Sequence, residues 1–337
     1  MSQQYASSQP AGFKNHIEKV AVVGAGGNVG KYIAAALLKT GKHSVTAITR
    51  ADSKNTPPAG VTIVEVNYED QNSLVEALKG HDALIITMSV MAPRETQKQL
   101  IDAAHAAGIQ WLMPNEYSSD PDQIEMQNDI LLGSASRQVR EYIDTLDGMS
   151  RLGLACGFWY EHSLTAFKQA FGFDVEKREV TFYDDGNTKI NTSTWPQCGL
   201  AIAKLLSLPI LPENADDKSL TLDQFRDGFL YISSFYVSQK DMFASILRVT
   251  GTKETDWKID YEDSKQRVED GKKEFAAGSR LGFGKFLYAR VFYPDGCGSY
   301  EKKLNNEALG LPKEDLDEYT KKGIELAESG YMKGLTG

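Results

Sequence analysis

Residues 19–30 read Lys-Val-Ala-Val-Val-Gly-Ala-Gly-Gly-Asn-Val-Gly, and this stretch decides the fold. Its apolar run at 20–23 predicts a short strand that is buried on both faces. A glycine cluster (Gly24, Gly26, Gly27 and Gly30) follows directly, and apolar residues then recur at helical spacing from Val29. A strand, a glycine-rich turn and a helix N-terminus in this order are typical of a dinucleotide-binding βαβ unit.

The glycine spacing is GxxGxxG, through Gly24, Gly27 and Gly30, and not the strict GxGxxG. This spacing is typical of short-chain-dehydrogenase-like proteins. Gly24 permits a tight turn, the middle glycines let the backbone approach a pyrophosphate, and Gly30 lets the helix pack closely on the strand. The helix N-terminus adds free N–H groups and a partial positive charge. The stretch therefore predicts cofactor binding, the alternative being a purely structural strand-to-helix turn.

The end of the second predicted strand, 44–49, discriminates between the two nicotinamide cofactors. A site that prefers NAD would place Asp or Glu there for the ribose 2′-hydroxyl. This chain has Arg50 at that point and Lys54 in the loop that follows, whereas Asp52 comes two residues too late. A guanidinium matches a 2′-phosphate in geometry and charge, so NADPH is the predicted cofactor. The alternative is that Arg50 is a solvated loop residue.

Strands and helices alternate as far as Gly157 and indicate an α/β protein. The predicted strands are 19–23, 44–49, 61–66, 83–88, 109–113 and 150–156. Because a helical pattern separates almost every pair of neighbouring strands, the expected architecture is a Rossmann-type doubly wound parallel sheet with helices on both faces.

The pattern changes after Gly157 and predicts a smaller, mixed α/β substrate lobe. An aromatic-rich stretch begins at Phe158, a hairpin is predicted over 180–190, and helices are predicted at 195–206, 239–249, 261–275 and 313–329. We expect a flexible tail at 1–16, an NADP-binding Rossmann domain at 17–157, and mainly the substrate lobe at 158–337. Segments at about 188–206 and 228–250 are expected to return to the Rossmann domain.

Composition narrows the possible partners. A net charge of −9 argues against a nucleic-acid-binding or anionic-membrane surface, and a small-molecule substrate is expected instead. The three cysteines are far apart, so neither a disulfide framework nor a metal site is expected, and the protein is expected in the cytoplasm. No stretch has the ~18 apolar residues that a membrane span needs. A homo-oligomer or a regulatory protein partner stays open.

Several motifs resemble the NmrA-like group of atypical short-chain dehydrogenases, which includes isoflavone reductase-like enzymes and fungal CipA-like oxidoreductases. They are Val-Val-Gly-Ala-Gly-Gly-Asn-Val-Gly at 22–30, Ile-Thr-Arg at 48–50, Gly-His-Asp-Ala-Leu-Ile at 80–85, Gln-Leu-Ile-Asp-Ala-Ala at 99–104, Trp-Leu-Met-Pro-Asn-Glu-Tyr at 111–117, Cys-Gly-Phe-Trp-Tyr-Glu at 156–161, Ser-Gln-Lys-Asp-Met at 238–242 and Val-Phe-Tyr-Pro-Asp-Gly at 291–296. The later motifs are most similar to the CipA-like branch, whose members act in fungal secondary metabolism. The resemblance implies an NADPH-dependent oxidoreductase with the nicotinamide between two lobes.

The resemblance and the rule that ligands bind at the carboxyl ends of parallel strands select the same residues. The expected cofactor-binding residues are Gly24, Gly26, Gly27, Asn28, Val29, Gly30, Arg50, Lys54, Thr87, Met88, Ser89, Asn115, Gly157 and Phe158. The expected substrate pocket comprises Tyr117, Trp159, Tyr160 and His162.

This chain lacks the catalytic residues that are usual in the enzymes it resembles. The Tyr-x-x-x-Lys spacing occurs only at Tyr236/Lys240 and Tyr261/Lys265, far beyond the first sheet, and is interpreted as chance. Isoflavone reductase-like enzymes share a lysine on the helix after strand five, where this chain has Ser136 and Arg137.

Without that lysine, the sequence leaves two main functions open, besides a redox-neutral rearrangement in which the cofactor is merely bound. Tyr117 and Tyr160 are the candidate hydrogen-bond donors for catalysis, each just past the end of a strand. The alternative is a non-catalytic NADP(H) sensor of the NmrA type that reports to a protein partner.

Overall fold

The apolar segments predicted as strands form a parallel sheet in a computed structural model, which describes residues 3–89, 92–165 and 167–331. The strands are β1 (Lys19–Val23), β2 (Ser44–Arg50), β3 (Thr62–Val66), β4 (Ala83–Ile86), β5 (Trp111–Met113), β6 (Tyr117–Ser118), β7 (Ser150–Ala155), β8 (Phe158–Trp159), β9 (Phe173–Asp174), β10 (Glu179–Tyr183), β11 (Lys189–Ser193), β12 (Gly228–Tyr231), β13 (Phe235–Ser238) and β14 (Lys258–Glu262). The α-helices are α1 (Asn28–Lys39), α2 (Gln71–Leu78), α3 (Arg94–Ala106), α4 (Ile124–Asp129), α5 (Leu132–Ile143), α6 (Tyr160–Thr165), α7 (Trp195–Leu206), α8 (Gln239–Thr250), α9 (Ser264–Ala276), α10 (Arg280–Val291) and α11 (Leu316–Glu328).

The main sheet has the strand order β3-β2-β1-β4-β5-β7-β12, with β6 also paired to β7. Its strand pairs are parallel, and Val22 lies between Ala47 of β2 and Ile85 of β4. From β1 the chain adds β2 and β3 on one side of the sheet, and then crosses to add β4, β5 and β7 on the other side. The crevice for a ligand therefore lies outside the carboxyl ends of β1 and β4. The predicted Rossmann-type fold is confirmed.

Helices cover both faces of this sheet because its central strands are apolar on both sides. On one face α1 and α7 pack together, and Gly199 permits their close approach, since a Cβ there would lie 2.6 Å from the Tyr32 carbonyl oxygen. On the other face α2, α3 and α5 contribute Leu74, Leu100 and Ile143 to a common core. Among the described residues no helix is long and apolar enough to cross a membrane.

The second lobe has its own aromatic core and two small sheets, ordered β14-β10-β9 and β13-β11-β8. The predicted hairpin between 180–183 and 189–190 is therefore wrong, because β10 and β11 belong to different sheets. The turn between them is bound elsewhere: Asp184 N–H donates to the Glu262 carbonyl, and Lys240 N–H donates to the Gly186 carbonyl. These bonds direct the two strands apart.

Some elements lack a sequence signal. The polar segment 114–122 contains β6, which is only two residues long. The apolar residues of α10 do not form one stripe, so no helical periodicity marks it. It packs on α9 through facing glycines, since a Cβ on Gly271 would lie 2.9 Å from the Gly282 carbonyl oxygen.

Segments distant in sequence complete the first lobe. Helix α7 packs on α1, and β12 joins the main sheet beside β7, whereas β13 and α8 contribute to the core of the second lobe. The N-terminal segment follows the chain at 210–213, where Ala6 N–H donates to the Pro212 carbonyl and the Asn15 side chain donates to the Leu211 carbonyl. The segment predicted as a tail is thus hydrogen-bonded to the first lobe.

A buried carboxylate joins the segment after β6 to two distant parts of the chain. Asp120 is 1% exposed, and its oxygens accept from Lys303 Nζ at 2.7 Å and from the Tyr231 hydroxyl at 3.0 Å. The Asp120 backbone carbonyl also accepts from the Gln127 side chain on α4. The Asp120 carboxylate therefore fixes the segment between β6 and α4 against the 300–305 turn.

Replacing Lys303 by methionine tests this brace. The Lys303→Met variant leaves the Asp120 carboxylate without its cation, so the free energy of unfolding should fall by about 2 kcal/mol. This loss is smaller than for a fully buried ion pair, because the Lys303 side chain is partly exposed. Urea unfolding measures the change. Lys302→Met removes a neighbouring exposed lysine and should change stability by less than about 0.5 kcal/mol. Equal stability of the two variants would contradict the brace.

Candidate active site

The glycine turn after β1 packs against the end of β4. Gly24 has φ +79°, and a Cβ there would lie 2.0 Å from the Thr87 carbonyl oxygen. Gly27 N–H donates to the Gly24 carbonyl at 2.8 Å, which closes the turn. A Cβ on Gly30 would lie 2.1 Å from the same Gly24 carbonyl oxygen. Glycine is thus required at both ends of the turn, as its sequence predicts.

The first turn of α1 is suited to an anion. Gly27 precedes the helix and has no side chain to cap it, so the first N–H groups, including those of Asn28 and Val29, lack an intrahelical acceptor. The loop after β2 approaches this turn closely, because a Cβ on Gly26 would lie 2.9 Å from the Asn55 backbone. These residues fit a dinucleotide pyrophosphate.

The carboxyl end of β2 presents two cations beside this turn. Arg50 is the last residue of β2, and its side chain is 60% exposed. Its Nε lies 3.4 Å from Asp52 Oδ1, an exposed ion pair that is weak enough to be exchanged for a phosphate. Lys54 is exposed in the same loop, close in sequence to Asn55. Both side chains lie where a ribose 2′-phosphate is expected.

Asn115 fixes the edge of the crevice at the ends of β4 and β5. Its side-chain oxygen accepts from Met88 N–H at 2.9 Å, and its side-chain nitrogen donates to the Met88 carbonyl at 3.1 Å. Its backbone N–H donates to Gln97 Oε1 at 2.8 Å. Thr87 Oγ1 donates to the Val23 carbonyl at 2.8 Å. Strands β1, β4 and β5 and helix α3 are therefore held in one register at this edge.

A cavity of about 560 Å³ begins at this edge and extends between α3 and α5. Apolar or aromatic side chains make up 11 of the 21 residues that line it, and polar or charged side chains make up the other 10. Its lining residues are Met88, Ser89, Ala92, Pro93, Glu95, Gln97, Lys98, Ile101, Asn115, Glu116, Tyr117, Ser118, Gln127, Ile130, Leu132, Ala135, Ser136, Gln138, Val139, Tyr142 and Trp159. Of the predicted site residues, the structure brings Met88, Ser89, Asn115, Tyr117 and Trp159 together here.

Tyr117 forms a wall of the cavity. Its hydroxyl donates to the Ile86 carbonyl at 3.1 Å, and its ring centre lies 6.4 Å from that of Trp159. Burial raises the pKa of Tyr117 well above its usual value. A hydroxyl that already donates to the main chain has no second proton to offer a substrate. The expectation that Tyr117 donates to a substrate is therefore not favoured by its surroundings.

Tyr160 belongs to the core of the second lobe and Phe158 packs against that core, so neither lines the cavity, and the prediction of Tyr160 as a pocket residue is corrected. Successive strand residues point to opposite faces, so Trp159 lines the cavity while Phe158 stacks on Tyr288 with ring centres 4.1 Å apart. Tyr160 is 0% exposed, and its hydroxyl shares a hydrogen bond with Thr320 at 2.7 Å. Burial raises the pKa of Tyr160 and leaves its hydroxyl without access to the cavity.

Gly157 and His162 also lie outside the cavity lining. Gly157 has φ +63°, and a Cβ there would lie 2.2 Å from the Asn191 carbonyl oxygen, so glycine is needed for close packing on β11. His162 lies 6.0 Å from Trp195 between ring centres, and burial lowers the pKa of His162 to about 4, which keeps it neutral. Tyr331, which the sequence did not single out, packs on His162, and its hydroxyl accepts from the Asn28 side chain.

The position at which isoflavone reductase-like enzymes share a lysine faces the cavity. Ser136 lines it from α5, whereas Arg137 bonds to Asn128. On the same helix Arg140 pairs with Glu116, whose pKa is raised by burial in spite of this partner. The two Tyr-x-x-x-Lys pairs lie in the second lobe, outside the cavity lining. There Lys240 Nζ donates to the Tyr261 hydroxyl at 3.1 Å. The sequence did not identify Lys98, Gln97 and Tyr142 as cavity residues. The residue pattern of each helix indicates only which of its faces is polar.

Comparisons with known proteins agree with this fold. The model of the NmrA-like family matches residues 16–183. The oxidoreductase aprR of Aspergillus flavus is 29% identical over 89% of this chain and 96% of its own length, and the oxidoreductase poxI of Penicillium oxalicum is 26% identical over 90% and 92%. A structure of AtPrR2 with NADP+ and (+)pinoresinol has a TM-score of 0.70 at 19% identity, covering 92% of this chain and 99% of that one. The NADPH-dependent quinone oxidoreductase QOR2 of Escherichia coli, complexed with NADPH, has a TM-score of 0.65 at 19% identity over 89% and 98%.

Gly24→Ala tests the phosphate turn. The added Cβ would clash with the Thr87 carbonyl, so the turn must open, and the Kd for NADPH should rise more than about tenfold. Gly108→Ala is the matched control, because Gly108 has φ +80° with open space around it. Gly108→Ala should lose about 1 kcal/mol of stability from backbone strain and keep its affinity. Gly24→Ala should lose more stability than this, because of the added clash, and should also lose affinity in calorimetric titration. Equal affinities would contradict this role of the turn.

Proposed function

Because this chain belongs to the NmrA-like family of isoflavone reductase-like proteins, we propose that it is an NADPH-dependent reductase of an aromatic or conjugated small molecule. The single observation that carries the proposal is the cavity of about 560 Å³ that starts at the ends of β4 and β5. A cofactor bound across the switch point of such a sheet reaches this edge with its nicotinamide.

NADPH supplies a hydride when it is bound, and the protein binds and orients it. The N-terminus of α1 receives the pyrophosphate, and Arg50 with Lys54 receives the 2′-phosphate. Asn115 holds the Met88 backbone at the edge that faces the nicotinamide. Arg50 is the residue in this set that selects NADPH over NADH.

The cavity suits a flat, largely apolar substrate. Trp159 and Tyr117 provide aromatic faces, and Ile130, Leu132 and Val139 provide apolar contacts from the opposite side. Such walls position the reacting carbon, which is the main requirement for hydride transfer to an already conjugated molecule. AtPrR2 was solved with (+)pinoresinol and QOR2 is a quinone oxidoreductase, which agrees with a substrate of this kind.

A non-catalytic NADP(H) sensor is the second candidate. The observation in its favour is Ser136, which stands in the cavity at the position where isoflavone reductase-like enzymes share a lysine. A sensor would bind NADP+ and NADPH with different affinities and transfer no hydride.

Hydride transfer decides between these functions. We would incubate the full chain with NADPH carrying deuterium at either face of C4 and a set of aromatic enones and quinones. The reductase proposal predicts deuterium in one product, from one face only, detected by mass spectrometry. Failure to transfer deuterium to any member of the set, together with different affinities for NADP+ and NADPH, would favour the sensor and contradict the reductase.

Arg50→Ala tests the cofactor preference. Loss of a charge-assisted contact to the 2′-phosphate should weaken NADPH about tenfold or more and leave NADH nearly unchanged. Calorimetric titration with both cofactors measures the ratio of their affinities. Arg280→Ala, which removes an exposed arginine at the start of α10, is the control and should leave the ratio at the wild-type value. An unchanged ratio in Arg50→Ala would contradict the assignment.

A further inference from the structure

A positively charged side chain lines the cavity at a position other than Ser136, where isoflavone reductase-like enzymes share a lysine. Among the described residues that line it, Lys98 on α3 is the one positively charged side chain. Its Nζ donates to Asp102 Oδ2 at 2.7 Å and lies 3.3 Å from the Tyr142 hydroxyl and 4.6 Å from the centre of the Tyr142 ring. The Tyr142 hydroxyl donates to the other Asp102 oxygen. Three side chains from two helices thus form one hydrogen-bonded cluster.

The cluster leaves one donor of Lys98 available. An ammonium group has three N–H donors, and Asp102 and Tyr142 engage two of them. The Lys98 side chain is 47% exposed and lines the cavity, so its third N–H is accessible to a bound molecule. Asp102 cancels the charge of Lys98, so the cluster presents a hydrogen-bond donor without a net positive charge.

The helix that carries Lys98 is tied to the cofactor edge. Its neighbour Gln97 accepts from the backbone N–H of Asn115, and Asn115 holds both backbone polar groups of Met88. Lys98 is therefore held in a fixed register with respect to the strand ends where the nicotinamide is expected. Ser136 lines the same cavity from the facing helix α5.

We propose that Lys98, positioned by Asp102 and Tyr142, donates a hydrogen bond and then a proton to an oxygen of the substrate. This inference rests on the proposed reductase function and adds the proton donor to it. Lys98 thereby does from α3 what a lysine at Ser136 would do from α5. Asp102 and Tyr142 are positioning residues.

The proton balance is complete for a conjugated ketone. The hydride adds to the β-carbon, the carbon–carbon π bond shifts, and the electron pair moves to the carbonyl oxygen. A proton passes from Lys98 Nζ to that oxygen, and the resulting enol rearranges to the saturated ketone. The neutral amine then takes a proton from water, which reaches its exposed side chain. The hydrogen bond to Asp102 raises the pKa of Lys98, which keeps the resting group protonated.

The cluster also restricts the class of substrate. Glu95 and Glu116 line the cavity, and the charge of Lys98 is already balanced by Asp102. A carboxylate on the substrate would thus find no unpaired cation among these groups, whereas a neutral carbonyl oxygen can accept the third N–H. The substrate class is a neutral aromatic enone or quinone.

Variants of Lys98 test the donor with benzalacetone, a neutral aromatic enone, as the probe. Lys98→Met should lower kcat about 100-fold, and loss of the hydrogen bond to the substrate oxygen should raise KM about fivefold. Lys98→Arg keeps a cationic donor that does not release its proton, so kcat should fall nearly as far. Calorimetry should give an unchanged Kd for NADPH in both variants.

Lys322→Met is the matched control. Lys322 is 45% exposed, pairs with Glu318 at 2.6 Å and lies 4.1 Å from the centre of the Tyr319 ring, on α11 outside the cavity lining. It should retain the wild-type kcat. Melting temperatures of Lys98→Met and Lys322→Met should agree, which separates a loss of chemistry from a loss of folding.

The outcomes separate this inference from the proposed function. If the wild type reduces benzalacetone and Lys98→Met or Lys98→Arg keeps kcat within threefold, the donor assignment is overturned and the reductase stands. If the wild type reduces neither enones nor quinones, the reductase and the proton step are both overturned. Binding of benzalacetone to the NADP+-loaded chain then tests the hydrogen bond, which predicts a Kd about fivefold weaker in Lys98→Met. An unchanged Kd overturns it.

Discussion

The close contact between Gly24 and the Thr87 carbonyl is the constraint on which the site depends. It joins the turn after β1 to the end of β4, the two strands between which the order of the sheet reverses. Thr87 strengthens the junction by donating from its hydroxyl to the Val23 carbonyl. With this junction fixed, the N-terminus of α1 opens on one side and the Met88–Asn115 edge on the other. One packing contact thus sets the spacing between the first turn of α1 and the cavity.

The second lobe contributes part of the wall of the cavity. Trp159 is its main contribution, and the strand that carries it pairs with β11 of the second lobe. The buried Asp120 holds the segment before α4 against the 300–305 turn, and Gln127 of α4 lines the cavity. The cavity is therefore shaped by long-range contacts, whereas the phosphate turn is shaped by local ones.

This difference explains how far the sequence could predict the structure. The doubly wound sheet, the glycine turn and the position of Arg50 follow from local signals, namely a buried strand, a glycine spacing and a strand end. The orientation of Phe158, Trp159 and Tyr160 does not, because a shift of one residue exchanges core and cavity faces in a two-residue strand. Lys98 and Tyr142 meet only when two helices pack, and neither helix specifies that contact by its own periodicity. The hairpin prediction failed because distant backbone groups bind the turn between β10 and β11.

A crystal structure of the chain with NADPH tests the central claim most directly, because that claim concerns where each end of the cofactor lies. The arrangement described above predicts the pyrophosphate on the first turn of α1, the 2′-phosphate within hydrogen-bond distance of Arg50, and the nicotinamide C4 facing the cavity between Asn115 and Trp159. A cofactor whose nicotinamide points away from that cavity, or whose phosphates lie elsewhere than the glycine turn, would contradict it.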